Sequence, residues 1–161
     1  MTVNDTDEHF MRRCIELACR VSEEETRPNP RVGAILVHNG KIVAEGFHAC
    51  DGAPHAERMA IESLDGAVPD NSTLYVTLEP CSTHGRTGAC TDRILACPGI
   101  HTVVVGTVDP NPMHRGCGLE WLRKKGLTVR EGCLASECEA LNPLFNDLMM
   151  TARQTHHMDL L

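Results

Sequence analysis

Residues 73–81 read Thr-Leu-Tyr-Val-Thr-Leu-Glu-Pro-Cys, an apolar run that ends in a proline and a cysteine. The part from Thr73 to Leu78 predicts a buried strand, because aliphatic, aromatic and β-branched residues follow one another without a break. This strand delivers Glu79-Pro80-Cys81 at its end. The stretch therefore predicts a β-strand that presents a cysteine thiol where it ends.

Helical and strand patterns alternate through the second half of the chain, which favours an α/β fold with a sheet between helices. The Asn39-Gly40 pair predicts a tight hairpin turn between two strands. The other predicted strands are 32–37, 41–47, 102–107 and 127–130, and the predicted helices are about 7–24, 54–64, 90–97, 116–125 and 135–153. We expect a single domain over 1–161, with its core at about 8–150 and a flexible tail at 154–161.

The charge and the apolar runs of the chain exclude several classes of function. A net charge of −7 argues against a protein that binds nucleic acid through broad electrostatics. The longest apolar runs are only a handful of residues, far short of a membrane span. The first ten residues are polar and acidic, unlike a signal or transit peptide. We therefore expect a cytoplasmic protein that binds neither nucleic acid nor membrane.

The chain contains nine cysteines, an odd number that does not fit a closed disulfide framework. Free thiols in a reducing compartment are the better interpretation. Cys14 and Cys19 lie in a helical pattern, and we expect both to be small buried hydrophobic residues. Five further cysteines have no predicted role: Cys50, Cys97, Cys117, Cys133 and Cys138.

Two short segments on either side of the 73–81 stretch complete a metal-binding pattern. His55-Ala56-Glu57 lies upstream, and Cys90 follows Cys81 by nine positions. An imidazole and two thiolates suit zinc, and three protein ligands leave one tetrahedral position for a catalytic water. A His-x-Glu element followed by Pro-Cys-x-x-Cys is the signature of zinc nucleobase deaminases, and here the second cysteine follows the first by nine positions rather than three. Each residue alone is more often structural, but the set in this order predicts Zn²⁺ bound by His55, Cys81 and Cys90.

The expected helix starts also bear on this chemistry. Residues two apart on a helix point in nearly opposite directions, so His55 must lie at the very end of its helix to share a site with Glu57. The helix dipole at Cys90 favours a thiolate there. Glu57 is the predicted catalytic residue: it takes a proton from water as general base and returns protons to the ring nitrogen and the departing ammonia.

Further motifs resemble the deaminase domain of riboflavin biosynthesis, within the cytidine and deoxycytidylate deaminase superfamily. The resemblance extends from about Phe10 to Phe145, and the wide spacing of the two cysteines separates this branch from tRNA adenosine and cytidylate deaminases. The motifs that carry it, besides the zinc elements, are Pro28-Asn29-Pro30-Arg31-Val32-Gly33-Ala34, His48, Thr77-Leu78-Glu79-Pro80-Cys81-Ser82, Gly85-Arg86-Thr87, Asp109-Pro110-Asn111-Pro112 and Leu141-Asn142-Pro143-Leu144-Phe145.

The resemblance implies a cytidine-deaminase-like three-layer α/β/α sandwich around a five-stranded mixed sheet. It also implies a phosphorylated pyrimidine substrate, 2,5-diamino-6-ribosylamino-4(3H)-pyrimidinone 5′-phosphate, which loses its amino group as ammonia in riboflavin biosynthesis. Homo-oligomers are common in the family, and we expect this chain to form a dimer or a tetramer. The resemblance assigns substrate contacts to Asn29, His48, Arg86, Thr87, Asp109 and Asn111.

Three departures from the family pattern bear on the choice of substrate. Thr83 stands where the family usually has a histidine, Gly88-Ala89 replaces Pro-Pro, and Cys117 replaces an arginine between two glycines. No dinucleotide fingerprint of a reductase is present either. Either a separate reductase completes the pathway, or the deaminase acts on another nucleobase, nucleoside or nucleotide. A third alternative is a non-catalytic zinc module, which would normally have four protein ligands.

Overall fold

The computed structural model of the chain describes residues 2–82 and 89–158, with side chains described as far as Thr151. Five strands form one mixed sheet in the order β2-β1-β3-β4-β5. β1 runs antiparallel to β2 and β3, whereas β3, β4 and β5 are parallel. The strands are β1 Gly33–His38, β2 Lys41–Phe47, β3 Ser72–Leu78, β4 Ile100–Thr107 and β5 Thr128–Arg130.

Helices cover both faces of this sheet. The helices are α1 Asp5–Ala18, α2 Glu23–Thr26, α3 Ala56–Glu62, α4 Cys90–Leu95, α5 Cys117–Lys124, α6 Ala135–Glu139 and α7 Pro143–Met158. Among the described residues, no helix combines the length and the apolar character needed to cross a membrane.

Successive side chains of a strand point to opposite faces, and the two cores follow this alternation. Leu74 and Val76 of β3 belong to the core under α3, α4 and α5, whereas Tyr75 between them belongs to the core under α1 and α6. The predicted α/β/α sandwich with a five-stranded mixed sheet is therefore confirmed.

The predicted hairpin turn is also confirmed. Asn39 and Gly40 both have positive φ angles, 50° and 72°, between β1 and β2. Two consecutive positive φ angles are the requirement of a type I′ turn, which asparagine and glycine tolerate best.

Two of the predicted helices are each divided into two. The first helix ends at Ala18, and Ser22 begins α2 with a capping box in which its hydroxyl and the Glu25 carboxylate exchange bonds with backbone N–H groups. The closing helix is broken between α6 and α7, because Pro143 disfavours helical geometry in the residue before it. α7 continues to Met158, past residue 154 where the flexible tail was expected to begin.

The two cysteines of the first helical pattern have different environments. Cys14 is fully buried and donates its thiol hydrogen to the backbone oxygen of Tyr75, at 3.6 Å. Cys19 caps the end of α1 and is exposed, so the expectation that it is buried is wrong. α1 ends at Ala18, so Cys19 does not continue the buried face that Cys14, Leu17 and Ala18 form.

Candidate metal centre and adjoining cleft

The start of α3 brings His55 and Glu57 to the same place. His55 is the N-cap residue, with extended backbone angles of φ −67° and ψ 162°, and Glu57 lies in the first helical turn. Because His55 is outside the regular helix, its side chain escapes the opposed geometry of residues two apart. α3 packs closely on β2, where a Cβ atom at Gly46 would overlap the α3 backbone. The expected position of His55 at the helix end is confirmed.

The end of β3 and the start of α4 supply the two cysteines. The Cys90 N–H group donates to the Cys81 Sγ atom at 3.2 Å, and the Thr91 N–H group donates to the Cys81 carbonyl oxygen at 3.1 Å. These two bonds satisfy N–H groups that the first turn of a helix leaves unpaired. The parallel ladder continues past β3 through a bond from the Glu79 N–H group to the Thr107 oxygen, at 2.9 Å. Cys81 is thus held between the end of the sheet and the first turn of α4.

The three predicted ligands form a group whose spacing fits a zinc ion. The His55 Nδ1 atom lies 3.2 Å from the Cys90 Sγ atom and 3.7 Å from the Cys81 Sγ atom. All three donor atoms lie within 4.8 Å of one another. Tetrahedral zinc with ordinary Zn–N and Zn–S bonds separates such donors by about 3.5–3.8 Å. The donor set therefore fits Zn²⁺ through Nδ1 of the histidine and both sulfurs.

The two thiols differ in their acidity. A hydrogen bond from the Cys90 thiol is the main cause that lowers the pKa of Cys81, and the same bond raises the pKa of Cys90. The sequence led us to expect the thiolate at Cys90, but the first N–H group of α4 points at the Cys81 sulfur instead. A bound zinc ion would deprotonate both thiols.

The Glu57 carboxyl is buried beside these ligands, with an exposed fraction of 4%. Burial raises the pKa of Glu57 to about 7, although its own backbone N–H group and the His55 ring oppose the shift. A carboxyl with a pKa near neutrality can both accept and donate a proton at the pH of a cell. The site thus combines metal ligands with a group suited to proton transfer.

A cleft opens next to the metal ligands, with an empty volume of about 610 Å³ including its mouth. Three of the predicted substrate contacts, Asn29, His48 and Asp109, line it together with His55 and Cys81. The remaining lining residues are Pro30, Val32, Leu78, Glu79 and Phe145. The cleft thus has polar groups near the metal ligands and an apolar wall of proline, valine, leucine and phenylalanine.

A hydrogen-bond network fixes His48 and Asn29 at the cleft. The His48 Nδ1 atom lies 3.1 Å from the Pro54 carbonyl oxygen, which can only accept, so Nδ1 carries the hydrogen. The Nε2 atom then accepts from the Asn29 amide nitrogen, at 3.4 Å. The same amide nitrogen donates to the Asp51 carboxylate at 3.0 Å. Burial lowers the pKa of His48, which keeps this ring neutral.

Asp109 and Asn111 lie on the same loop, but only Asp109 lines the cleft. The Asp109 carboxylate accepts the Asn111 N–H group at 2.9 Å, and the Asn111 side-chain oxygen accepts the Met113 N–H group at 3.0 Å. The Asn111 side-chain oxygen therefore stabilises a turn. Asn111 is not among the residues that line the cleft. Burial raises the pKa of Asp109.

Two predicted substrate contacts, Arg86 and Thr87, lie outside the described residues, as do Thr83 and Gly88. Glu79, Asp51 and Phe145 are at or beside the cleft and were not predicted as site residues. Glu79 accepts the Gly116 N–H group at 3.0 Å, and burial raises its pKa to about 7. Its place immediately before Pro80-Cys81 was the available signal, because a charged residue that ends a buried strand needs a partner.

The profile of the cytidine and deoxycytidylate deaminase zinc-binding region matches residues 4–107, which include all three metal-ligand candidates and Glu57. This match covers more than half of the chain. The chain belongs to the cytidine and deoxycytidylate deaminase family. The His55, Cys81 and Cys90 donor group lies within the matched zinc-binding region.

Individual relatives narrow the comparison to one branch. A diaminohydroxyphosphoribosylamino-pyrimidine deaminase of Buchnera aphidicola subsp. Schizaphis graminum is 41% identical over 145 residues, which are 90% of this chain and 97% of that protein. The riboflavin biosynthesis protein RibD of Actinobacillus pleuropneumoniae is 48% identical over 152 residues. The resemblance found in the sequence is thus confirmed.

A solved structure extends the agreement to the fold. The diaminohydroxyphosphoribosylaminopyrimidine deaminase/5-amino-6-(5-phosphoribosylamino)uracil reductase of Thermotoga maritima superposes with a TM-score of 0.84 at 48% identity. The match covers 91% of this chain and 42% of the Thermotoga chain. For the Actinobacillus protein the corresponding shares are 92% and 39%. The chain therefore spans about two fifths of these two relatives.

Proposed function

We propose that the chain deaminates 2,5-diamino-6-ribosylamino-4(3H)-pyrimidinone 5′-phosphate to 5-amino-6-(5-phosphoribosylamino)uracil and ammonia. The observation that carries this proposal is the His55, Cys81 and Cys90 donor group with the buried Glu57 carboxyl beside it. The name of the Buchnera relative, of which 97% is covered, supports the choice of substrate. We propose His55, Cys81 and Cys90 as the zinc ligands.

Zinc supplies a Lewis acid when bound, which makes water a nucleophile at neutral pH. Glu57 takes one proton from that water while a C–O bond forms at the ring carbon that carries the amino group. The carboxyl then gives the proton to the adjacent ring nitrogen. Glu57 next takes the remaining proton from the new hydroxyl group and gives it to the amino group. The C–N bond then breaks, ammonia leaves, and the former water oxygen becomes the carbonyl oxygen of the product. Burial of the Glu57 carboxyl favours its protonated form, which suits the return of a proton to the substrate.

The cleft residues orient the pyrimidine over these groups. The Asn29 amide is held by His48 and Asp51, so it can meet a ring substituent without a large loss of side-chain entropy. Asp109 also lines the cleft and offers a carboxylate acceptor. Arg86 is proposed to bind the phosphate and Thr87 to assist it, because arginine forks match phosphate oxygens. Asn111 is proposed to act through its turn at the cleft margin.

The product of this reaction would next be reduced, since the name of the Thermotoga relative joins the deaminase to an aminouracil reductase. We infer that a reductase consumes the product of this chain. The expected homo-oligomer, a dimer or a tetramer, stays a prediction that sedimentation or light scattering can measure.

The decisive experiment is ammonia release by the zinc-loaded protein from a panel of aminopyrimidines. The panel contains the phosphorylated diaminopyrimidine, its dephosphorylated form, cytidine, deoxycytidylate and guanine. We expect turnover of the first compound and a rise in KM when its phosphate is removed. Turnover of cytidine or guanine without turnover of the diaminopyrimidine would replace the proposed substrate. Zinc binding without turnover of any member would favour a non-catalytic zinc module.

A further inference from the structure

Two residues far apart in sequence, Arg31 and Asn142, form a reciprocal pair next to the cleft. The Arg31 N–H group donates to the Asn142 Oδ1 atom at 2.6 Å, and the Asn142 Nδ2 atom donates to the Arg31 carbonyl oxygen at 2.9 Å. Asn142 has an exposed fraction of only 5%. An amide side chain that binds both the N–H group and the carbonyl group of one residue fixes the position and the orientation of that residue's backbone.

The Arg31 side chain extends the same contact. Its Nε atom donates to the Leu141 carbonyl oxygen at 3.0 Å, and its NH1 atom donates to the Val21 carbonyl oxygen at 3.2 Å. Leu141 follows the end of α6, and Val21 lies in the link between α1 and α2. The guanidinium group therefore joins the Arg31 segment to two other parts of the backbone.

The start of α7 has an additional anchor from α2. The Glu23 carboxylate accepts the Leu144 and Phe145 N–H groups, at 3.1 Å and 3.3 Å. A carboxylate is favourable at this end of a helix, where the N–H groups are unpaired and the dipole is positive. The backbone of Phe145 is thereby held in a defined position beside the cleft.

Polar contacts matter here because α7 buries little apolar surface of its own in the described part. Leu144, Leu148 and Met150 are 48%, 47% and 61% exposed. A helix placed mainly by packing would bury such side chains. The position of Phe145 therefore depends on the anchors at residues 141–145 rather than on a hydrophobic interface.

The pair connects the two sides of the cleft. Asn29 and Pro30 immediately precede Arg31, and Phe145 follows Asn142 by three positions; all three line the cleft. We propose that Arg31 and Asn142 are positioning residues that set the distance between the Asn29 loop and Phe145, and thereby the affinity for the ring substrate. This proposal rests on the proposed deaminase function. The pair touches no metal ligand, so its loss should weaken substrate binding and leave zinc in place.

The test compares Asn142→Ala with Asn146→Ala as the matched control. The Asn146 side chain lies four positions after Asn142, in the first turns of α7, and donates to the Glu139 carbonyl oxygen. For Asn142→Ala we expect KM to rise about 10-fold, the loss of a well-placed hydrogen-bond pair, with kcat changed less than about 3-fold. Zinc content should stay at one per chain. Asn146→Ala should change neither constant.

A conservative variant and a readout that needs no substrate keep the test decisive. Asn142→Asp keeps the acceptor for the Arg31 N–H group but loses the donor, so its KM should lie between those of wild type and Asn142→Ala. Amide hydrogen exchange should become faster at Asn29 and Arg31 in Asn142→Ala and not in Asn146→Ala. An unchanged KM, or unchanged exchange at both amides, would overturn the proposal. So would equal losses of kcat and zinc in Asn142→Ala and Asn142→Asp, which indicate a purely structural role.

The outcome can be separated from that of the proposed function. The kinetic constants are measured on whichever panel compound the wild-type protein deaminates. Failure of the wild type on the diaminopyrimidine overturns the proposed substrate alone. If the wild type turns over no panel member, the exchange rates at Asn29 and Arg31 decide the positioning of the loop by themselves.

Discussion

Two carboxyl groups are almost completely buried on opposite faces of the sheet, and they differ in what surrounds them. Asp7 of α1 is 1% exposed and Glu57 of α3 is 4% exposed. Asp7 belongs to the layer under α1 and α6, whereas Glu57 lies at the metal centre. Their comparison shows how one small fold can keep one carboxylate permanently charged and the other ready to exchange a proton.

Both oxygens of the Asp7 carboxylate accept hydrogen bonds. The Arg130 side chain donates to both of its oxygens, at 2.9 Å and 2.8 Å, and the Tyr75 hydroxyl donates to one of them at 2.9 Å. Burial alone would raise the pKa of Asp7, but the Arg130 and Tyr75 bonds outweigh it and lower the pKa. The pair is bidentate, the geometry in which arginine binds carboxylates best.

For Glu57, by contrast, burial is the dominant influence. Its pKa is raised to about 7, and the opposing effects of its own N–H group and of His55 are smaller. A permanently paired carboxylate such as Asp7 holds no proton to return during a reaction, whereas the raised pKa of Glu57 suits the proton transfer that we propose for it. The cost of burying a charged carboxylate is thus offset by hydrogen bonds at Asp7, on one face of the sheet. At Glu57, on the other face, this cost raises the pKa of the carboxyl instead.

The largest expected effect comes from removing the carboxyl of Glu57, the proposed proton-transfer group. Glu57→Gln keeps the size and polarity of the side chain but cannot accept a proton. We expect deamination to fall by about 10²–10⁴-fold, the usual contribution of a general acid–base group. Zinc content, measured by atomic absorption, should not change.

The matched control for this variant is Glu62→Gln on the same helix. Glu62 is exposed and pairs with Arg58 at 2.7 Å, a contact of small energetic value. We expect its activity to match wild type. Turnover retained in Glu57→Gln would contradict the role of Glu57, and zinc lost from it would make the carboxyl a structural group instead.

The second effect is on stability and comes from breaking the paired carboxylate. Arg130→Met leaves Asp7 buried with the Tyr75 hydroxyl but without its cation. We expect the free energy of unfolding, measured by urea titration, to fall by about 3–5 kcal/mol, the usual cost of an uncompensated buried charge. Deaminase activity per folded molecule should remain, because the cluster lies on the other face of the sheet.

Arg12→Met on α1 is the control for charge loss at the surface. Arg12 pairs with Glu8 at 3.4 Å in an exposed position, so the change in stability should be below about 1 kcal/mol. Adding Asp7→Asn to Arg130→Met should restore part of the loss, since no unpaired charge is then buried. If the double variant were less stable than Arg130→Met by the full cost of Asp7→Asn alone, the two residues would not be coupled.

The sequence predicted the metal centre much better than the paired cluster. Histidine, glutamate and cysteine at fixed spacing carry their own chemistry, and the strand ending in Pro80-Cys81 indicated where the site lies. The proximity of His55, Cys81 and Cys90 follows from local motifs, each at the end of one element. Short-range patterns of this kind are readable without knowledge of the tertiary contacts.

The Asp7 cluster depends on long-range contacts instead. Asp7 and Arg130 are separated by 123 positions, and Tyr75 comes from a central strand. Nothing in the spacing of these residues links them. Only the local role of Asp7 was readable, since Asn4 and Asp7 form a capping box at the start of α1. The sequence patterns also did not indicate where several helices begin and end. Single residues such as Ser22 and Pro143 set these positions, whereas the spacing of apolar residues indicated longer helices.

The third effect is a difference in acid stability between wild type and Asp7→Asn. The pKa of Asp7 is lowered in the folded protein, so its stabilising contribution is present above the unfolded pKa of about 3.9 and is lost as the pH falls through the folded pKa. The advantage of wild type over Asp7→Asn should therefore be full at pH 6 and should shrink below about pH 4. Urea midpoints of both proteins across this range measure it. A constant difference at all pH values would show that the stabilisation does not depend on the charge of Asp7.

The smallest effect distinguishes the two partners of Asp7. Tyr75→Phe removes one hydrogen bond at 2.9 Å but leaves the bidentate Arg130 contact, so the carboxylate remains paired. We expect a loss of about 0.5–1.5 kcal/mol in the free energy of unfolding, the ordinary net value of one hydrogen bond. A cycle with Asp7→Asn separates the pairwise contribution from the effects of the ring, which packs against Phe10 and should do so unchanged. A loss as large as that of Arg130→Met would mean that the hydroxyl, rather than the cation, keeps this carboxylate charged.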